Sequence, residues 1–357
     1  MNQIILYVMA FGALIGGVDH MLGNRFGFGQ RFEEAFQLLG SIGLSMAGIL
    51  CLSPLLSEGL GTLVVPLFRG LGFDPGMFGS ILAIDMGGYQ MAMDLCADRD
   101  LGRFAGIIVS AIFGCTIVFT IPVGMGAMGE EDRPYFTKGI LLGLVSMPGG
   151  ILVGGLVFGL SLGEILWNCL PIFLISAALF LGLLKKPEGM VRFFRGFAAF
   201  IQKLAVFGLM IGAIQYMTGQ EILPGLIPLA EAMEVVCSIA IVMLGSMPLA
   251  ELVQRLLNVP FGWIGRHTGL NSTSTTGLLI GMVSVVPALA MVPRMDKRGK
   301  VVNGAFAVCG ASALAAHLGF ALSAEPDMAA ALLAAKLFGG FLGAAIALAA
   351  TKAENPA

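Results

Sequence analysis

An ionisable residue interrupts the apolar segment 77–93. Asp85 lies there, followed by Gly87, Gly88 and Tyr89. A carboxylate in hydrocarbon costs about 2.5–3.5 kcal/mol on insertion scales, so it usually faces a cavity or a partner. The glycines allow a helix to unwind, which exposes backbone carbonyls at the negative end of a helix dipole. Together these groups favour a bound cation, to which Tyr89 could add a cation–π face; the alternative is that Asp85 caps the half-helix after it.

Segment 274–293 carries a matching interruption. Pro287 removes a backbone donor and frees a carbonyl, and Ser284 brings the only hydrogen-bonding side chain of the stretch 284–287. We expect this pair to line the same site as Asp85; the alternative is a proline kink without a ligand. Asn271 opens the polar string 271–276 that leads into the segment, where it either caps the first half-helix or contacts a ligand.

Three polar residues elsewhere are further candidates for ligand contact. His317 lies deep in an apolar stretch, where it could relay a proton, touch a ligand or bond to a neighbouring helix. Thr116 is more typical of a hydroxyl that packs two helices. Glu33 and Glu34 are predicted to open the second helix, where acids complement the helix dipole; Glu34 could also attract cations.

The composition predicts a membrane protein. Of the 357 residues 57% are hydrophobic and 12% charged, with a mean hydropathy of +0.92, too little charge to cover a soluble surface. The net charge of −2 carries no message about nucleic acid, and without a basic tail we predict no nucleic-acid partner. The six cysteines form no CxxC pair, so we expect buried reduced thiols, no metal and no cofactor. We find no HExxH motif or phosphate loop, and predict a protein that is not an enzyme.

The chain repeats itself. Residues 11–23 recur as 207–219, and Gly48 and Gly102 recur as Gly245 and Gly299. We predict an all-α polytopic membrane protein with two inverted structural repeats, at 1–160 and 193–351, joined by a linker helix and cytoplasmic loop at 161–192 and followed by a tail at 352–357. Nine apolar stretches are long enough, or nearly so, to span: 3–22, 36–53, 104–128, 138–160, 164–184, 200–218, 233–250, 301–323 and 328–350. Stretches 55–70 and 251–267 suit amphipathic helices lying in the interface.

Loop charge predicts the orientation. The basic clusters at 185–203 and 294–300 both belong in the cytoplasm, which requires segment 274–293 to enter and leave on that side. Arg25 and Arg31 then place the N-terminus outside, so that segment 77–93 returns to the outer face and the C-terminus is cytoplasmic. The alternative is that both broken segments span, which gives eleven crossings and parallel copies.

Several motifs resemble those of one known family. They are Asp85-Met-Gly-Gly88, Thr116-Ile-Val-Phe-Thr-Ile-Pro-Val123, Met295-Asp-Lys-Arg-Gly-Lys300, Asn303-Gly-Ala-Phe-Ala-Val308 and His317-Leu-Gly-Phe320. Over nearly the whole chain the sequence resembles the ethanolamine permease family EutH. Two positions depart from the family pattern: Ser284-Val285 replaces an Asn pair, and Ala316 replaces an Asp.

The resemblance implies facilitated entry of ethanolamine across the bacterial inner membrane, with ethanolamine and the lipid bilayer as partners. Asp85 would then hold the ammonium group and Ser284 the hydroxyl, with the site lying between the two breaks. The alternatives are ion- or proton-coupled transport of another small amine, a channel, or a membrane-embedded enzyme. Gly-rich surfaces are compatible with a homo-oligomer.

Overall fold

The chain folds into helices throughout the part that the structure describes. A computed structural model describes residues 2–351 and shows no strand within them; the predicted tail at 352–357 lies outside that range. The α-helices are α1 (Asn2–Met21), α2 (Phe28–Gly70), α3 (Gly88–Leu95), α4 (Arg99–Arg103), α5 (Ile121–Ala127), α6 (Arg133–Phe158), α7 (Leu162–Asn168), α8 (Leu170–Lys185), α9 (Pro187–Thr218), α10 (Leu229–Thr268), α11 (Ser272–Val283), α12 (Val285–Met291), α13 (Lys297–Gly310), α14 (Ala316–Ala324) and α15 (Ala329–Ala349). Tighter 3₁₀ turns cover Pro75–Ile81, Ile84–Met86, Val292–Arg294 and Pro326–Met328, and wider π-helical turns cover Phe104–Gly114 and Thr116–Thr120.

The predicted polytopic all-α class is confirmed. Within residues 2–351, six helices are long and apolar enough to cross a membrane, or seven if α7 and α8, bent by 52°, form one span. The predicted count of nine is not confirmed. The predicted interfacial helices 55–70 and 251–267 are continuous with α2 and α10, because the prolines inside those helices do not end them. The predicted cytoplasmic loop shrinks to Lys186 between α8 and α9.

Both predicted breaks exist, and the first lies in a hairpin. We call residues 75–95 hairpin 1. Its two arms pack closely, since a Cβ added to Gly79 would lie 2.3 Å from Ala92 N. At its base the Asp74 carboxylate accepts hydrogen bonds from Ala97 N (3.0 Å) and Asp98 N (2.8 Å). A segment crossing the whole membrane would separate its ends by about 30 Å. Hairpin 1 therefore has the geometry of a re-entrant loop.

The second break has the same construction. We call residues 272–294 hairpin 2, with arms α11 and α12. At its base the Asp296 carboxylate accepts hydrogen bonds from Asn271 N (3.0 Å) and Ser274 Oγ (2.6 Å). The Asn271 amide donates in turn to Arg294 O at 3.2 Å. An aspartate thus ties both ends of each hairpin together, one before its hairpin and one after.

A third break was not predicted. The stretch 301–323, expected to be one helix, divides into α13 and α14 at residues 311–315, where Ser312 takes a positive φ of 56°. The freed backbone groups bond to hairpin 2: Ser312 N donates to Gly281 O and Leu314 N to Met282 O, both at 2.8 Å. No proline marks this break in the sequence. Tertiary hydrogen bonds to hairpin 2 stabilise it instead.

The two copies contact each other reciprocally through glycines. A Cβ added to Gly208 would lie 2.1 Å from Gly48 O, and one added to Gly12 would lie 2.4 Å from Gly245 O. Gly12 and Gly208 are repeat equivalents, as are Gly48 and Gly245. Such an exchange of partners is the mark of a two-fold relation between similar units.

Ion pairs show the same reciprocity. Arg103 in the first copy lies 3.0 Å from Glu325, near the end of the second copy's broken helix. Its equivalent Lys300 lies 2.5 Å from Asp132, just after α5 of the first copy. Equivalent helical segments therefore run antiparallel beside each other. This arrangement supports the inverted repeat, which stays a prediction because it is defined relative to a membrane.

We expect Gly208→Ala to destabilise the helix crossing, because the new Cβ would overlap Gly48 O. Overpacking of this kind typically costs about 1–3 kcal/mol. The matched control is Gly196→Ala on the same helix, where a Cβ meets nothing within 4 Å. Thermal unfolding followed by fluorescence-detected gel filtration in detergent compares the two variants. Equal unfolding temperatures would contradict a close crossing at Gly208.

Candidate functional site

A large cavity lies between the tips of the two hairpins. Its volume is about 810 Å³, within the usual range for a small-molecule site. Hairpin 1 contributes Asp85, and hairpin 2 contributes Ser284 and Pro287. The cavity extends to a mouth beside the exposed Gln37. The two predicted breaks therefore line one cavity, and its use as a binding site stays a prediction.

Asp85 occupies the tip of hairpin 1. It lies on the 3₁₀ turn Ile84–Met86, between the extended residue Ala83 and Gly87, whose φ is +89°. The side chain is half-buried and faces the cavity, and no ion pair involves it within residues 2–351. Gly87 is the N-cap residue of α3, and no side chain caps that helix. The alternative prediction, that Asp85 caps the following helix, is therefore wrong.

The glycines after Asp85 shape the tip instead of lining the cavity. Gly87 needs its left-handed conformation, which L-residues rarely adopt. A Cβ on Gly88 would lie 2.1 Å from Ser110 Oγ. Both glycines therefore let the hairpin turn and pack tightly, which fixes where the Asp85 carboxylate points.

Tyr89 faces away from the cavity. Its hydroxyl donates a 2.9 Å hydrogen bond to Glu325 Oε1, and its ring packs edge-on against Phe320 at 5.7 Å between centroids. Tyr89 is not part of the cavity wall. The predicted cation–π contribution is therefore not supported by its position, because α3 turns the ring toward α14 and the turn Pro326–Met328.

Ser284 forms the tip of hairpin 2. Its backbone is extended, with φ −148° and ψ 128°, and its N–H donates to Ile280 O at 2.8 Å. The hydroxyl has no hydrogen-bond partner within residues 2–351. Pro287 follows on the cavity wall, one turn into the second arm. The hairpin thus brings one hydroxyl into a wall that is otherwise mainly apolar.

Two predicted residues have structural roles away from the cavity wall. Asn271 lies at the base of hairpin 2, where its Oδ1 accepts from Ser274 N at 2.8 Å and caps α11. Thr116 is fully buried and donates to Ile112 O and Val308 O at 2.7 and 3.0 Å. The Thr116 hydroxyl therefore joins the first copy's π-helical stretch to α13, as expected of a packing hydroxyl.

His317 lies on the cavity wall, beside a cysteine. Its Nε2 lies 3.4 Å from Cys115 Sγ, and its buried Nδ1 has no hydrogen-bond partner. The ligand atoms of Asp85, Cys115 and His317 lie within 4.8 Å of one another. Thiolate, imidazole and carboxylate groups could hold a soft divalent ion, and the charge of Lys336 acts on all three residues.

Lys336 is a cavity residue that the sequence analysis missed. It lies on α15, is 1% exposed, and donates a 2.9 Å hydrogen bond from Nζ to Ala111 O. Its charge interacts with that of Asp85. Lys336 is the only charged residue of Ala329–Ala349, so the rule that selected Asp85 would have selected it.

An ion-pair cluster lies at the cavity mouth. Arg31 contacts Glu34 at 2.7 Å and Glu251 at 3.0 Å, which links α2 to α10. The prediction that Glu33 and Glu34 open the second helix is wrong, because α2 begins at Phe28 and its first turn holds no acid. Glu34 instead contributes negative charge, largely compensated by Arg31, to the cavity entrance.

Comparison with known proteins places the chain in a family. The family model described as "Ethanolamine utilisation protein, EutH" matches residues 1–350. The probable ethanolamine permease EutH of Listeria monocytogenes is 40% identical over 97% of this chain and 93% of its own length. The Escherichia coli protein of the same name is 35% identical, covering 97% and 95%. The uncharacterized protein YxeR of Bacillus subtilis is 38% identical, covering 99% and 96%.

No solved structure matches the chain. The family match extends over both copies and both hairpins, and therefore over every wall of the cavity. The resemblance inferred from the motifs is thus confirmed, and the chain belongs to the EutH family of ethanolamine utilisation proteins.

Proposed function

We propose that this protein carries ethanolamine across the bacterial cytoplasmic membrane by facilitated diffusion, with alternating access to a site between the two hairpin tips. The relatives named as probable ethanolamine permeases support the substrate. One observation carries the mechanism: Asp85 and Ser284, from the tips of two different hairpins, line the same cavity. A carrier that binds between two repeats can change access by moving one repeat against the other.

The chemistry of ethanolamine suits these groups. At neutral pH it is a small ammonium ion with a hydroxyl two carbons away. An unpaired carboxylate can bind the ammonium through charge-assisted hydrogen bonds, and a hydroxyl can donate to or accept from the substrate hydroxyl. Asp85 and Ser284 offer these two groups from opposite hairpins, so one substrate molecule would hold both tips together.

The two ends of the molecule differ in how they are closed. Beside the base of hairpin 1, Arg103 forms ion pairs with Glu325 and Asp327, and Glu325 also accepts from Tyr89. On the other side the cavity reaches Gln37, past the Arg31–Glu34 pair. In the proposed cycle the ion pairs of Arg103 break when the cavity opens on the side of the base of hairpin 1 instead of beside Gln37.

Loop charge suggests which end faces the cytoplasm. Lys300, Arg298 and Arg294 lie at the base of hairpin 2, where Arg298 also bonds to Thr268 O and Leu348 O. By the positive-inside rule this end is cytoplasmic. The N-terminus then lies outside and the C-terminus inside.

We expect Asp85→Asn to lower uptake of radiolabelled ethanolamine by about tenfold to a hundredfold at low external concentration. The amide keeps the shape but loses the charge, and hydrogen bonds to charged groups contribute about 1.5–3 kcal/mol. Cells expressing each variant at matched levels would be assayed at acidic pH, where little neutral amine crosses the bilayer unaided.

The matched control for that experiment is Asp94→Asn. Asp94 lies on the same hairpin but is exposed and accepts hydrogen bonds from Ser53 and Ser57. Uptake by this variant should stay near that of the unmodified protein. Wild-type uptake by Asp85→Asn would refute the proposed role of the carboxylate.

We expect Ser284→Ala to weaken discrimination between ethanolamine and ethylamine. Ethylamine has the same ammonium group but no hydroxyl, so it cannot use the Ser284 contact. The inhibition constant of ethylamine divided by that of ethanolamine, both measured by competition with labelled ethanolamine, should fall by about fivefold, because only ethanolamine loses a contact. Ethylamine binding serves as the internal control and should not change. An unaltered ratio would place the substrate hydroxyl elsewhere.

We expect cysteine labelling to report the orientation. In a variant lacking the native cysteines, Gly163→Cys should react with a membrane-impermeant maleimide in intact cells. Glu130→Cys should react only after permeabilisation, because Glu130 lies near Asp132 at the base of hairpin 2. Both positions are exposed. The reverse pattern would show that the proposed orientation is inverted.

A further inference from the structure

Lys336 combines three properties that a purely structural lysine lacks. It is almost completely buried, it lines the cavity, and no carboxylate lies within ion-pairing distance of it among residues 2–351. Its ammonium carries three N–H donors, and Ala111 O is the one hydrogen-bond acceptor found for them in the described chain. A lysine that only filled space in α15 would be replaced favourably by an apolar residue.

The charges around Lys336 are few. The titratable groups that interact with it are Asp85, Cys115, Cys309 and His317. Thiols and a buried imidazole are most stable when neutral, which leaves Asp85 and Lys336 as one opposite pair on the same cavity. Without substrate, the cavity is then electrically neutral as a whole. With an ethanolammonium ion bound, it carries one positive charge.

We propose that Lys336, which is not in ion-pairing contact with Asp85, supplies the positive charge that balances Asp85 across the cavity in the unloaded carrier, and that the substrate ammonium binds the carboxylate when the carrier loads. This inference rests on the proposed function. The lysine is itself a primary ammonium on a flexible four-carbon stem, so it offers Asp85 the same chemical group as the substrate. The carbonyl of Ala111 holds the Lys336 ammonium in place on the cavity wall.

This arrangement has a kinetic consequence. A net uptake cycle requires the carrier to return unloaded, and a lone carboxylate in the membrane interior would make that return slow. Exchange of external for internal ethanolamine requires only the loaded carrier to move. Lys336 should therefore be essential for net uptake and dispensable for exchange.

The experiment uses purified full-length protein in proteoliposomes and compares the two fluxes in Lys336→Gln and Lys336→Met. Net uptake is measured into vesicles without internal ethanolamine, and exchange into vesicles preloaded with unlabelled ethanolamine. We expect both variants to lose tenfold or more in net uptake while exchange stays within about twofold of wild type. The matched control is Lys138→Gln, an exposed lysine that also donates to a backbone carbonyl, Ala350 O.

The remaining outcomes each overturn the proposal. Equal retention of both fluxes would show that Asp85 needs no internal cation. Parallel loss of both fluxes in well-folded variants, or failure of both variants to fold, would assign Lys336 to binding or to the fold. Rescue of net uptake by Gln but not Met would assign it to the Ala111 hydrogen bond. If ethanolamine is not the substrate, the unmodified protein shows neither flux, so that failure is distinguished from a failure of the Lys336 proposal.

Discussion

The site depends on one constraint: inside a membrane, every backbone polar group needs a partner within the protein. Breaking a helix frees such groups, and here the broken segments satisfy each other. At hairpin 1 the Ser110 hydroxyl donates to Leu82 O at 2.5 Å. At hairpin 2 the Ser312 and Leu314 amides occupy the carbonyls of Gly281 and Met282. Each tip is thus held by the long helical segment that follows it, and the polar side chains left over face the space between the tips.

Much of this organisation could be predicted from the sequence, because its signals are local. The copies show as repeated residues, and the hairpin tips show as Asp85 with two glycines and as Ser284 with Pro287. The third break could not be predicted, since nothing at 311–315 disfavours a helix by itself and its hydrogen bonds come from hairpin 2. The direction of Tyr89 was unpredictable for a similar reason: the charged partner Glu325 lies 236 residues away. Lys336 was predictable and overlooked.

Charges elsewhere in the protein join the two copies at both ends. Arg103 reaches from the first copy to Glu325 in the second, and Lys300 reaches from the second to Asp132 in the first. Each cation is largely buried, so its carboxylate partner matters more than it would at an exposed surface. A movement of one copy against the other must break or rearrange these pairs. The glycine crossings at Gly48 and Gly245 constrain the same movement in another way. Because the backbones are in close contact there, one helix can slide or rotate against the other more readily than it can separate from it.

The size of the cavity limits how selectivity can arise. Ethanolamine has four non-hydrogen atoms, so a space of about 810 Å³ is much larger than the ligand, and the walls cannot recognise it by shape alone. Discrimination must come from polar groups on the wall, and it becomes effective only when those groups contact the ligand together and exclude water. Asp85 and Ser284 belong to different hairpins, so in the proposed mechanism one small molecule that contacts both residues would hold the two tips together. Binding energy would then be coupled directly to closure of the site, which is the step that a carrier needs and a channel does not.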